Sequence, residues 1–335
     1  MSGSRVTVAA VVPHWNRRAL LETLFETLRA QTRPFDEIII VDNGSSDGSA
    51  EFAERAGARV LRLDRNLGFA PAVNRGIQNT QADFVAILNN DVTLAPDWLS
   101  VLLTALESAQ HKDAWFATGK ILSAANPSLL DGTFDEVSQG ACACRCGSGK
   151  PDSPWWNRSR YIRMAPMTAA LFRRRLFDEI GLLDEAFESY LEDVDFGLRC
   201  ALAGRDGIYI PEGISRHLGS ATMGQWNNDT VRRIAFNQIL LAIKYFRGQP
   251  LWPIVVGQLL WGFVALRHAR VWPYLHGKLS GLRNAWTIAS RNAWVAPDPK
   301  RFQAVIQASE KEILEVERQT GFSTYWRAYF WLLRP

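Results

Sequence analysis

The sequence predicts an α/β fold with a parallel sheet, on three observations. Short β-branched apolar runs alternate with helix-period stretches through the first 120 residues. Clusters of polar residues follow directly after those runs, where parallel strands joined by helices present ligand sites. The composition is that of a folded chain, 335 residues with 47% hydrophobic and 21% charged, enough for one large domain with an appendage.

Residues 6–12 are continuously apolar and valine-rich, as a strand covered on both faces requires. Asn16 stands at a cap position ahead of Leu20, Leu21, Leu24, Phe25 and Leu28, which recur at helical spacing. Residues 38–41 read as a second strand that ends in the turn cluster Asp42-Asn43-Gly44-Ser45-Ser46-Asp47-Gly48. A third strand fits 59–63, a helix 69–79, and a fourth strand 84–88, which runs into Asn89-Asn90-Asp91. Pro96 is placed to open the next helix. Residues 123–165 scatter Gly, Ser, Pro and Asn among few apolar runs and read as a long loop region. A second ordered block runs from 167 to about 217, and beyond 224 the pattern is helical and basic.

Charge divides the chain. Residues 225–335 hold 15 Lys and Arg against 6 Asp and Glu, together with 8 of the 13 Trp, whereas the preceding residues hold 23 against 28. That split suits a cation-assisted site in front and an anionic partner, such as a membrane surface, behind. Four Cys make no disulfide scaffold and fit a reducing compartment, and the N-terminal residues lack the apolar stretch of a secretory signal. The 16 residues 251–266 are apolar or Gly/Pro apart from Gln258, yet a membrane span needs roughly 20. Closed by Arg247 on one side and Arg267, His268 and Arg270 on the other, they suit a buried or an interfacial helix. Phe322, Tyr325, Trp326, Tyr329 and Phe330, with Arg318, Arg327 and Arg334 around them, suit either a membrane interface or packing on the main domain. No nucleic-acid-binding module is recognisable, and none is expected as a partner.

The polar clusters Pro13-His14-Trp15-Asn16, Asp42-Asn43-Gly44 and Asn89-Asn90-Asp91 all follow strands. A carboxylate such as Asp42 there can accept from a pyrimidine N–H or a ribose hydroxyl. The dinucleotide glycine fingerprint and the Walker loop are both absent, which argues against a Rossmann dehydrogenase or a P-loop kinase. Glu192, Asp193 and Asp195 open a helix, where the dipole favours ionised acids; Glu192 and Asp195 share a face and Asp193 projects elsewhere. Cys142, Cys144 and Cys146 lack the second pair that a structural zinc needs and read as part of an ordinary loop. In that loop Trp155 and Trp156 are candidates to stack on a sugar, and Arg145, Lys150, Arg158 and Arg160 to meet a pyrophosphate.

The string Val41-Asp-Asn-Gly-Ser-Ser-Asp-Gly-Ser, then Asn66-Leu-Gly-Phe-Ala with Asn74-Arg-Gly, Leu88-Asn-Asn-Asp, Phe187-Glu-Ser-Tyr-Leu-Glu-Asp-Val-Asp and Pro211…His217 resembles the inverting family 2 glycosyltransferases. The likeness is to the rhamnosyltransferase-like branch that elongates bacterial surface polysaccharides, and it covers roughly residues 6–220. It implies a GT-A fold, with a nucleotide-sugar-binding half over 1–122 and an acceptor and catalytic half over 123–224. A helical, possible membrane-associating region over 225–335 follows.

The resemblance implies that Pro13, Trp15, Asp42 and Asn43 line the base and ribose pocket. Asn66, Gly68, Phe69 and Asn74 would border the ribose and diphosphate, with Asn89 and Asn90 beside them. Gly68 and Gly76 read equally as packing glycines, and Trp15 as a core aromatic. The family's Asp-X-Asp metal motif is Asn89-Asn90-Asp91 here, so Mg²⁺ or Mn²⁺ would rest on Asp91, His217, the Asn89 carbonyl and the donor's own diphosphate. Asp193 would be the general base, next to Glu192. The implied reaction moves a sugar, best guess rhamnose, from a nucleoside diphosphate to a hydroxyl of a lipid-linked glycan at the inner face of the cell membrane. The missing first Asp leaves a non-catalytic sugar-nucleotide scaffold as the alternative. A nucleotidylyltransferase would need a glycine-rich basic loop where Pro13-His14-Trp15-Asn16 stands.

Overall fold

A computed structural model describes residues 5–219, 226–292 and 294–333. The chain runs β1 (Val8–His14), α1 (Arg18–Arg29), β2 (Glu37–Asp42), α2 (Ser49–Arg55), β3 (Arg59–Arg62), α3 (Phe69–Gln78), β4 (Phe84–Leu88), β5 (Val92–Leu94) and α4 (Trp98–Glu107). Seven short strands follow: β6 (Phe116–Thr118), β7 (Ile121–Ser123), β8 (Leu130–Gly132), β9 (Asp135–Val137), β10 (Ala143–Arg145), β11 (Arg160–Ile162) and β12 (Ala169–Arg173). Then come α5 (Arg175–Ile180), α6 (Glu192–Ala203), β13 (Gly207–Tyr209) and β14 (Ser215–His217). Five helices close the chain: α7 (Asn228–Tyr245), α8 (Leu251–Arg267), α9 (Val271–Arg291), α10 (Pro299–Thr320) and α11 (Thr324–Leu332).

The main sheet has eight strands in the order β11-β13-β6-β12-β4-β1-β2-β3. Strands β3, β2, β1 and β4 are parallel, so their carboxyl ends, and the polar clusters after them, meet along one edge. Beyond β4 the sheet turns mixed, because β12 runs antiparallel to both β4 and β6. The parallel sheet expected from the early repeats is formed by β3, β2, β1 and β4, and β6 and β13 make a further parallel pair beyond β12. Every residue of β1 is buried, with Val8, Ala10 and Val12 packing on one layer and Val11 on the other. Gly76 is a packing glycine, since a Cβ there would stand 2.2 Å from Val11 Cγ1 and push α3 off the sheet.

Several local expectations are corrected. Asn16 does not cap α1: it adopts φ 54° and its Oδ1 accepts from Ser46 N–H, while Asp47 accepts from Arg18 N–H at 2.8 Å. Pro96 lies before α4 rather than at its start, and its carbonyl accepts from Thr32 N–H. Residues 123–165 are not a loose loop: they hold four short strands, β8 to β11, and Cys142, Cys144, Cys146 and Trp156 are buried. Burial pushes the Cys142 thiol up, the opposite of a reactive cysteine.

The terminal helices share cores with the α/β part. Leu240, Leu241, Phe302 and Ile306 cluster with Val194, Leu198 and Met164. The tail is likewise internal. Trp326 and Tyr329 are buried, and the Tyr329 hydroxyl reaches both Gly140 N–H and Glu310. Of its aromatics among the described residues, only Trp331, outside the expected set, is strongly exposed, and the others follow the packing alternative. Arg334 and the 224 boundary lie outside the described residues. No helix among the described residues is long and apolar enough to cross a membrane.

Candidate active site

A cleft of ≈ 470 Å³ opens at the carboxyl ends of β1, β2 and β4 and is closed on the far side by β9, β10 and the start of α6. It gathers Pro13, Trp15, Asn43, Asn66, Gly68, Phe69, Asn89, Asn90, Asp91, Glu192, Asp193 and His217 from the sequence-predicted set. Trp15 presents its ring, 38% exposed, and is not a core aromatic. Asn43 ties the end of β2 to the next loop, accepting from Leu67 N–H and donating to Gly68 O.

Two predicted residues are spent elsewhere. Asp42 is buried and its carboxylate accepts from Ser45 N–H, outside the cleft lining. Asn74 lies under the sheet edge, donating to Leu183 O and accepting from Leu183 N–H. The amides of Gly68, Phe69 and Ala70 are also taken, by Asn66 Oδ1, Ser189 Oγ and Glu188 O, so the start of α3 keeps none of these three free for a diphosphate. Gly68 is required by this contact: at φ 98° any Cβ would stand 2.8 Å from Glu188 O.

Asp91 and His217 meet with Oδ1 and Nε2 3.0 Å apart. That spacing matches the edge of an octahedron with ~2.1 Å bonds, so the two donors fit adjacent positions around Mg²⁺ or a similar ion. The other His217 nitrogen, Nδ1, lies 2.9 Å from Asp131 Oδ2, which aims Nε2 at Asp91. Burial alone would lower the imidazole pKa, but the bonds to Asp131 and Asp91 prevail and raise it to about 9. Asn89 Nδ2 lies 3.5 Å from His217 Nε2, so the amide rather than its carbonyl faces the imidazole. Among the described residues no group of three or more His, Cys, Asp or Glu is placed to hold a metal ion.

Across the cleft, α6 starts at Glu192 after a strained approach: Glu188, Tyr190 and Leu191 all have positive φ. Asn237 of α7 clamps that approach, its Nδ2 lying 2.7–2.9 Å from the carbonyls of Phe187, Ser189 and Tyr190. Glu192 and Asp193 both face the cleft, whereas Asp195 is buried against Tyr245, Lys244 and Arg199 and is structural. Arg145 binds Asp193 at 3.4 Å and Asp135 at 3.3 Å, so of the four loop cations proposed for a pyrophosphate only this one reaches the cleft. Lys150 and Arg160 pair with Glu317 and Glu312, and Trp156 is core.

Sequence reasoning missed His14, Asp131 and Asp135. His14 accepts from Asn90 Nδ2 at 2.9 Å through Nδ1, which leaves the proton on Nε2. Burial pushes its pKa down to about 4, so it is a neutral donor, and Nε2 has no protein partner. Asp135 Oδ2 and Glu192 Oε2 are also buried and unpartnered. Burial, opposed by Arg145 and reinforced by Asp193, pushes Asp135 to about 7, while burial and Asp193 hold Glu192 well above the carboxylate range. Three orphaned polar groups lining one cleft mark a place where a polar ligand completes the hydrogen bonding.

The sequence model described as Glycosyl transferase family 2 matches residues 9–181. N-acetylglucosaminyl-diphospho-decaprenol L-rhamnosyltransferase of Mycobacterium tuberculosis is 27% identical over 229 residues, 61% of this chain and 74% of that protein. Two solved structures share the fold. The mannosyltransferase PcManGT from Pyrobaculum calidifontis, in complex with GDP-Man and Mn²⁺, has a TM-score of 0.52 at 17% identity over 97% of this chain and 86% of that one. GalNAc-T7 with UDP, GalNAc and Mn²⁺ has a TM-score of 0.63 at 13% identity over 95% and 58%. With this match over half its length, and a GT-A sheet whose strand ends carry the motifs, the chain belongs to glycosyltransferase family 2.

Proposed function

We propose that this glycosyltransferase moves a sugar, rhamnose first among the candidates, from a nucleoside diphosphate to a hydroxyl of a lipid-linked surface glycan, with inversion. One observation carries the reading: the Asp91–His217 pair and Asp193 line a single cleft, linked through Asp131 and Arg145. The M. tuberculosis relative, named for rhamnosyl transfer to a diphospho-decaprenol acceptor, supports the choice of donor and acceptor. A lipid-linked acceptor places the reaction at the inner face of the cell membrane, with the C-terminal region toward the bilayer.

In this reading Trp15 offers a ring face to the base, and His14 donates from Nε2 to the nucleotide. Asp91 and His217 would hold a divalent cation, and such an ion, when bound, would supply positive charge to a departing diphosphate. Asp131 fixes the imidazole so that Nε2 stays on the ligand side. Asp193 accepts the proton of the acceptor hydroxyl as its oxygen attacks the anomeric carbon opposite the diphosphate. Arg145 holds that carboxylate in place, and Glu192 and Asp135, each with a carboxylate oxygen lacking a protein partner, offer hydrogen bonds to acceptor hydroxyls. A diphosphate leaves without a protein acid, so one base suffices.

The test is nucleoside diphosphate release from a panel of nucleotide sugars, with Mn²⁺ and with EDTA. Slow release without acceptor, accelerated by a lipid-linked acceptor and stopped by EDTA, is expected. No release from any donor would instead favour the scaffold alternative.

A further inference from the structure

Among the described residues, a run of exposed large apolar side chains lies on α8 and α9, away from the cleft. On α8, Trp252, Val255, Leu259, Phe263 and Leu266 form one exposed row, and on α9, Trp272, Leu275, Leu279, Leu282 and Trp286 form another, each side chain 42–77% exposed. The two helices are antiparallel, since Lys278 meets Gln258 and a Cβ on Gly262 would touch Tyr274. In both, the exposed row stands about a quarter turn from the side that faces the other helix. For an antiparallel pair those offsets bring both rows to the same side of the hairpin. The result is one apolar plateau two helices wide, far beyond the scattered exposed side chains of an ordinary surface.

Charge says what covers it. Residues 230–297 contain nine Lys and Arg and no Asp or Glu. Arg267, His268 and Arg270 surround the α8–α9 turn, and Arg247 lies over the Trp286 ring at 5.0 Å. Apolar rows rimmed by Trp and cations, without an acid, suit acyl chains beneath anionic headgroups. A basic protein surface of this kind also resists pairing with a second copy of itself, because the rims repel.

We infer that the α8–α9 hairpin docks this enzyme, side-on and without crossing, on an anionic lipid bilayer. The inference deepens the lipid-linked-acceptor reading by naming the surface that meets the lipid. Trp261, two residues from both Leu259 and Phe263 and so on the opposite side of α8, lines the catalytic cleft. The hairpin then separates cleft from headgroups by one helix diameter, about 10 Å. The tail packs beneath the hairpin, with Tyr325 bonded to Gly257 O.

The experiment is co-sedimentation of the full chain with vesicles of phosphatidylcholine alone or mixed 7:3 with phosphatidylglycerol (about that ratio), which needs no turnover and so fails separately from the transfer reading. Binding to the mixed vesicles, at least ~10-fold weaker to the neutral ones and weakened by salt, is expected. The triple variant Trp252→Ser/Trp272→Ser/Trp286→Ser alters exposed side chains only and is expected to lose binding at least ~10-fold with its melting temperature retained. A wild-type chain that stays in the supernatant overturns the proposal. So does triple-variant binding equal to wild type, or sedimentation velocity showing a wild-type dimer that the triple variant breaks without any vesicle binding.

Discussion

Asp193→Asn lowers sugar transfer at least ~10²-fold and leaves nucleotide affinity unchanged, if the base assignment holds. The asparagine keeps the shape and the contact with Arg145, now 3.4 Å away, but has no basicity toward the acceptor hydroxyl. Its neighbour supplies the control. Burial and Asp193 hold the Glu192 carboxyl well above the carboxylate range, so Glu192→Gln exchanges it for another hydrogen-bonding group and is expected to cost less than ~10-fold. Initial rates with saturating donor, set beside nucleotide titrations of both variants, decide it. Equal losses in the two would remove Asp193 from the base role.

Asp91→Asn removes the one carboxylate of the Asn89-Asn90-Asp91 motif while retaining its shape. Because His217 Nε2 points at Asp91 Oδ1 from 3.0 Å, losing that charge takes away one of the two strongest protein donors to a cation. The Mn²⁺-dependent part of nucleoside diphosphate affinity is expected to fall ~10–100-fold, whereas affinity measured in EDTA stays where it was. Calorimetric titration in the two conditions separates these. A variant whose affinity falls equally with and without Mn²⁺ would show that Asp91 contacts the nucleotide directly or only shapes the loop.

The parts of the fold that could be read from sequence are those written by local pattern. Residues 84–88 form β4 as expected because an unbroken apolar run between turn residues leaves little choice, and α6 starts at Glu192 where acids gather at a helix N-terminus. The clusters after β1, β2 and β4 converge because parallel strands put their ends together. What could not be read depends on partners far along the chain. Asp47 caps α1 from another loop, and Arg145 meets Asp193 only because three-residue strands fold the 123–165 region over α6. Such strands are too short to show alternation, so Asp131 and Asp135 gave no signal. His14 did stand in a quoted motif, and its buried tautomer is set by Asn90, 76 positions away.

The same limit explains the C-terminal region. Aromatic residues recur at helical spacing in both 251–286 and 322–331, and spacing alone cannot say which face meets protein. Glu310 and Gly140 bury Tyr329, whereas nothing among the described residues covers Phe263 or Trp272.

The most direct test of a single displacement, with Asp193 on one face of the sugar and the cation-held diphosphate on the other, is the anomeric configuration of the first-formed product. NMR of the glycoside formed from a ¹³C-labelled nucleotide sugar reads it from the anomeric carbon–proton coupling, and the glycoside does not mutarotate. Inversion at the anomeric carbon is the predicted result; a product that retains the donor's configuration would contradict it.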